Sequence, residues 1–335
     1  MKLDRIEGKL PLATVAAQAR EYEATGYHGL WVGEIDRDPF MPLALAAEHT
    51  DRIELGTSIA VAFARTPMTL ANVGWDLQEY SAGRFRLGLG SQVQAHIEKR
   101  FSMPWTQPAG RMREFIAALH AIWDCWQDGT RLEFRGDFYQ HTLMTPFFNP
   151  GPSAFGPPPV FLAAVGEKMT EVAGEVADGL FVHGFCTERY LREWVLPTLA
   201  RGQERRTATR PFEIAYPAFV VMGQTEVELA TAATATRKQI AFYGSTPAYR
   251  KVLELHGWGE LQSELNALSK QGEWDVMGER IDDDVLHAFA AVGTPATVAA
   301  TLQQRYGDVV DRLSLYLPYD ADPAQVAELT GALTK

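Results

Sequence analysis

Residues 54–92, ELGTSIAVAFARTPMTLANVGWDLQEYSAGRFRLGLGSQ, constrain this chain more than any other stretch. Two β-rich segments each end in small residues, and a helical segment joins them. That order suits parallel strands linked by a crossover helix, with carboxyl ends opening into one pocket, where α/β barrels carry their chemistry. The alternation extends in both directions. A short strand is predicted at 3–6, a helix at 12–25 stopped by Gly26, a buried strand at 29–34, a helix at 42–50 and a strand at 53–60. Thr66 and Pro67 supply the cap and first turn of a helix over 67–80, SAGR turns the chain, and 85–89 forms the next strand.

Beyond residue 90 the pattern loosens. Pro104, Trp105 and Pro108 predict an ordered lid or wall before a helix at 111–128. Residues 132–140, split by Arg135-Gly136-Asp137, read as a hairpin, and the proline-rich run 145–159 reads as a long connection. Strands at 160–164, 180–183 and 213–222 then alternate with helices at 167–177, 188–201 and 225–242. Residues 244–284 carry Leu and Trp among scattered Gly and read as a helical insertion without a linker of its own. Thr294-Pro295 begins a last long helix, and 311–316 is the closing strand. The expectation is an α/β protein in which residues 1–335 form a single barrel domain with insertion segments.

Composition narrows the partners. With 31 basic against 42 acidic residues, the net charge of −11 opposes binding to nucleic acid or an anionic membrane surface. The two cysteines, Cys125 and Cys186, lie far apart without ligand spacing, so neither a disulfide framework nor a metal site is predicted. The opening MKLDRIEGKL lacks the apolar core of a secretory signal, and no run of 18 apolar residues follows; both point to the cytoplasm.

Three long phrases carry a resemblance: residues 26–67 (GYHGLWVGEIDRDPFMPLALAAEHTDRIELGTSIAVAFARTP), 83–92 (GRFRLGLGSQ) and 161–183 (FLAAVGEKMTEVAGEVADGLFVH). Together they resemble the bacterial luciferase-like family of flavin and deazaflavin oxidoreductases. HIEKRFSMPW, HTLMTPFF and QIAFYGSTPAYRKVLELHGWG bring the chain closest to its actinobacterial branch that uses coenzyme F420. The resemblance implies a (β/α)8 TIM barrel that binds its cofactor at the carboxyl ends of the strands.

It also implies site residues. By residue type alone Ser58-Ile59 is an ordinary trans strand end with Ile59 in the core, since cis bonds without proline are rare. In the family the corresponding bond is cis and backs the tricyclic ring, which assigns Ser58, Ile59 and Ala60 to the ring face. Ala164, Val165, Gly166, Glu167, Lys168 and Met169 join a strand to a helix. By themselves they are a plain βα turn, but a helix start with free N–H groups also suits a phosphodiester, and the resemblance favours that role. Glu167 suits it only if its carboxylate points away.

The polar set expected around the ring is Glu34, Asp36, Ser91, Gln92, His96 and His183. His183, then His96, is the candidate proton donor beside a hydride transfer, because an acid titrating near neutrality suits that task. Glu34 is a further catalytic group, a ligand of a ribityl hydroxyl of the cofactor, or an acceptor that simply satisfies buried backbone. Ile35 and Val93 depart from the family's sugar-phosphate dehydrogenases, which carry histidine and glutamate there. Phe40, Phe63, Trp105, Phe147, Phe148 and Phe185 are candidate cavity walls or core residues. Arg65, Arg100, Arg111 and Arg113 are candidates for an oligoglutamate cofactor tail or solvated surface.

The functional expectation is F420-dependent hydride transfer to or from a small organic substrate, by C=C or C=N reduction or alcohol oxidation. An FMN-dependent monooxygenase and a cofactor-binding barrel without turnover are the alternatives. The resemblance further implies a homodimer, with helices 67–80 and 111–128 as candidate contact surfaces.

Overall fold

The computed structural model describes residues 1–334. Among the described residues twelve strands occur in chain order: β1 (Lys2–Glu7), β2 (Gly29–Val32), β3 (Glu54–Thr57), β4 (Ala60–Val61), β5 (Phe85–Gly90), β6 (Phe134–Arg135), β7 (Gln140–His141), β8 (Val160–Ala164), β9 (Gly179–Val182), β10 (Glu213–Met222), β11 (Ala290–Gly293) and β12 (Arg312–Tyr316). The main sheet runs β11-β10-β12-β1-β2-β3-β5-β8-β9, and β10 also pairs with β9. The order therefore returns on itself, as in the expected α/β barrel. Registered pairs such as Gly29 with Glu54 and Leu87 with Val160 are parallel; β6 and β7 form a separate antiparallel hairpin.

By contacts the chain divides into two compact units. The first comprises Asp4–Phe181 and Leu199–Glu213. Its strands read as apolar runs because both faces are covered. Trp31 is fully buried against Phe161 and Phe181, with its indole N–H donating to Asp4 Oδ2 at 2.7 Å. Gly56 is what admits it: a Cβ there would stand 2.3 Å from the Trp31 ring. Helix Pro67–Tyr80 starts as predicted, with the Thr66 hydroxyl accepting from the Thr69 N–H at 3.2 Å and proline in the first turn.

The second unit comprises Met1–Leu3, Val182–Thr198 and Ile214–Lys335, of which the last residue is not described. It holds helix Glu226–Gly244 and the predicted insertion, built from helices Arg250–Leu255, Gly259–Gln271 and Trp274–Glu279. Helix Asp283–Phe289, β11 and a C-terminal helix, Pro323–Leu333, capped by Asp322, go beyond the sequence expectation. The helix expected over 188–201 is interrupted by a π-turn at Leu191–Val195. Among the described residues no helix is long and apolar enough to cross a membrane.

Candidate active site

The residues singled out by sequence follow individual parallel strands. After β2, Glu34 Oε2 accepts from the Val61 N–H at 2.7 Å and from Arg65 Nη1 at 2.6 Å. The other arm of Arg65 reaches Asp38 at 3.1 Å, and Asp38 accepts from the Phe40 N–H. Glu34 keeps 7 % of its side chain exposed and Arg65 20 %. Charge-assisted bonds of this kind are the strong ones, and here they tie the end of β2 to β4. Its Oε2 is thus occupied as an acceptor from fixed protein donors, in line with the backbone-satisfying role weighed for Glu34 beside catalysis.

Beside it, the Ser58-Ile59 bond is cis. Ser58 N–H donates to Val32 O at 2.9 Å, and Glu34 N–H to Ile59 O at 3.1 Å. Ile59 packs over Gly90, where a Cβ would come within 2.8 Å of it. One residue earlier, the Thr57 hydroxyl donates to Gly88 O at 2.6 Å and accepts from Gly88 N–H at 2.9 Å, locking β3 to β5. Ala60 is buried in β4. After β5, Gln92 takes a left-handed φ of 58°; Ser91 Oγ donates to its carbonyl, and its side-chain oxygen accepts from the Val93 N–H. His96 is exposed on the short helix Gln94–Lys99.

At the end of β8, Gly166 is the N-cap of helix Glu167–Val176 at φ 79°, and no side chain caps the helix. Nothing lies within 4 Å of where a Gly166 Cβ would be. Glu167 is drawn off by Arg201, with Nη2 to Oε1 at 2.8 Å, while Arg201 Nε also binds Glu171 at 2.9 Å. Lys168 is exposed and Met169 buried. Uncapped N–H groups, an open approach and a diverted carboxylate together suit a phosphate, so this rim fits the implied cofactor.

The second unit holds His183, directly after β9. Its Nδ1 accepts from the Phe185 N–H at 3.0 Å, and its Nε2 lies 3.1 Å from the Tyr249 hydroxyl. The two rings stack with centroids 4.6 Å apart, and Tyr243 meets the imidazole edge-on at 4.9 Å. Burial pushes His183 down to about 4 and Tyr249 up to about 12. An imidazole titrating near neutrality was expected; this one is held neutral because its charged form has no compensating partner. Tyr249 and Tyr243 were missed as site residues. Their phrase, AFYGSTPAYR, was legible only as resemblance.

The remaining candidates disperse. Arg111 is buried, donating to the Tyr139 hydroxyl and Pro104 O beneath Phe63; Arg100 donates to Ile35 O, and Arg113 pairs with Glu175. With Arg65 engaged as described, none of these four arginines projects without a protein partner. Phe63 and Phe185 are core, Phe185 stacking on Phe289, whereas Phe147 is 89 % exposed. Asp36 pairs with Lys9 at the surface, and Ile35 and Val93 are exposed. Cys125 and Cys186 are buried free thiols. Among the described residues no cluster of His, Cys, Asp or Glu could hold a metal ion.

Comparison places this geometry among known proteins. An uncharacterized protein of Mycobacterium tuberculosis is 58 % identical over 312 residues, covering 92 % of each chain. The 5,10-methylenetetrahydromethanopterin reductase of Methanolobus tindarius is 26 % identical over 328 residues, covering 96 % of this chain and 95 % of the relative. Among solved structures, the coenzyme F420 dependent tetrahydromethanopterin reductase from Methanopyrus kandleri superposes with a TM-score of 0.77 at 20 % identity, over 99 % of this chain and 96 % of that one. The family model described as luciferase-like monooxygenase matches residues 3–312. With strands, helices and rim accounted for over that whole span, the chain belongs to the luciferase-like monooxygenase family.

Proposed function

We propose that this oxidoreductase uses coenzyme F420 and exchanges hydride with a small organic substrate, by C=C or C=N reduction or alcohol oxidation. The observation that carries the reading is the Gly166 rim: an uncapped helix start whose acidic first-turn residue, Glu167, is held away by Arg201. The names of the archaeal reductases, both acting on tetrahydromethanopterin compounds and one stated to depend on F420, support the deazaflavin over other flavins. When bound, the deazaflavin supplies or accepts the hydride. The chain's own part is to hold the phosphodiester on the N–H groups of Glu167, Lys168 and Met169, to back the ring with Ser58, Ile59 and Ala60, and to flank it with Ser91 and Gln92. Ile35 and Val93 cannot exchange protons, so sugar-phosphate dehydrogenation forms no part of the proposal. A homodimer completes the reading.

The family description favours one second reading, an FMN-dependent monooxygenase. Titration of the purified chain with F420 and with FMN, followed by absorbance and fluorescence, separates them. Micromolar binding of F420 but not of FMN is the expected result; the reverse preference rejects the proposal.

A further inference from the structure

Sequence expectation made His183 the donor to substrate. Its hydrogen bonds lead elsewhere. The Phe185 N–H occupies the lone pair of Nδ1, so in the neutral ring the proton resides on Nε2, a tautomer assigned from the bonding pattern. Nε2–H must then donate to the Tyr249 oxygen 3.1 Å away. Tyr249 therefore cannot direct its own hydrogen at His183. The neighbouring hydroxyls, Tyr243 and Tyr316, are 2.8 Å apart and share one hydrogen bond with each other rather than with Tyr249. Among the described residues the Tyr249 hydrogen has no other acceptor, and the residue is partly exposed.

We infer that the Tyr249 hydroxyl is a dedicated hydrogen-bond donor to an acceptor atom of the substrate, a carbonyl oxygen or imine nitrogen, and that His183 is the positioning residue that aims it. The inference rests on the proposed oxidoreductase reading and narrows its substrate class. A hydroxyl that is already accepting a hydrogen bond is polarised into a better donor. Burial keeps Tyr249 protonated across the ordinary pH range. Phe185, 5.6 Å from Tyr249, and the edge of Tyr243 supply aromatic neighbours, so a conjugated, neutral acceptor suits the place better than an ammonium group, which offers no lone pair.

The test uses cyclohex-2-en-1-one, labelled with 13C at the carbonyl, on the full chain with and without oxidised F420. Infrared difference spectra of the wild type should show the bound C=O stretch lowered in frequency. Tyr249→Phe should remove that lowering and weaken binding by about tenfold, while F420 affinity stays within about twofold. The 15N shifts of His183 should report the same Nε2–H tautomer in both proteins, which separates loss of the donor from a disturbed ring. Failure of the wild type to bind the enone saturably, or an equal carbonyl shift in Tyr249→Phe, overturns the inference. A carbonyl shift without F420 binding leaves it standing and removes the cofactor reading; F420 binding without a carbonyl shift does the opposite.

Discussion

The guanidinium of Arg65 holds the carboxylate of Glu34 at 2.6 Å, thirty-one residues away in the chain, and so fastens the loop after β2 to the start of the next crossover. Because Glu34 is nearly excluded from water, that partner and the Val61 N–H take the place of solvent as its hydrogen-bond donors.

Arg65→Met leaves a buried carboxylate with one donor fewer. It should destabilise the fold by about 3 kcal/mol, the lower end for breaking a buried pair because Arg65 is itself partly solvated. Asp38→Asn removes only the exposed arm and should cost less than about 1 kcal/mol. Urea unfolding of both variants checks the ratio; equal costs would refute the clamp.

His183 also makes a pH prediction. Its folded-state value, about 4, lies below the ordinary 6.5, so the unfolded chain binds the proton more readily. Stability should be indifferent to this ring above about pH 6.5 and should fall as pH drops from there through about 4. His183→Gln should flatten that part of the stability profile. In the wild type, the imidazole resonances should not titrate between about pH 5.5 and 8; a midpoint near 6.5 contradicts the assignment.

Arg201 restrains Glu167 beside the helix start. Arg201→Ala should free that carboxylate to oppose an incoming phosphate and weaken F420 binding by roughly fivefold, the scale of a charge at a helix terminus. Adding Glu167→Gln should restore most of the affinity. Fluorescence titration of the single and double variants decides it, since a purely structural effect of Arg201 would not be rescued.

Gly56→Ala drives a methyl group into the Trp31 ring, where the approach would be 2.3 Å. Overpacking of this kind costs about 2 kcal/mol. Thermal unfolding should show the loss, and near-ultraviolet circular dichroism should show Trp31 displaced.

Much of the scaffold could be read from the chain because its signals are local. Thr66 and Pro67 announce their helix, and the apolar runs 160–164 and 213–222 bound their strands to the residue. β11 escaped because Ala290–Gly293 offers a single branched residue, Val292, among Ala and Gly; its pairing with Phe219–Met222 makes it a strand. The chemistry was less legible. Nothing near His183 in sequence reveals Tyr249, sixty-six residues on, or that a backbone N–H two residues later decides which ring nitrogen bears the proton. Likewise Arg65 and Arg111 read as ligands of a cofactor tail or as solvated surface until their protein partners were in view.

The Glu167–Arg201 contact has a further consequence for how the protein responds to its medium. Both side chains are about half solvated, so mobile ions weaken their attraction as ionic strength rises. A loosened glutamate would drift back toward the mouth of its helix just as screening blunts the pull of that mouth on an anion. Affinity for a phosphorylated cofactor should then decline with salt more steeply than backbone amides alone would dictate, making the restraint a built-in sensor of electrolyte.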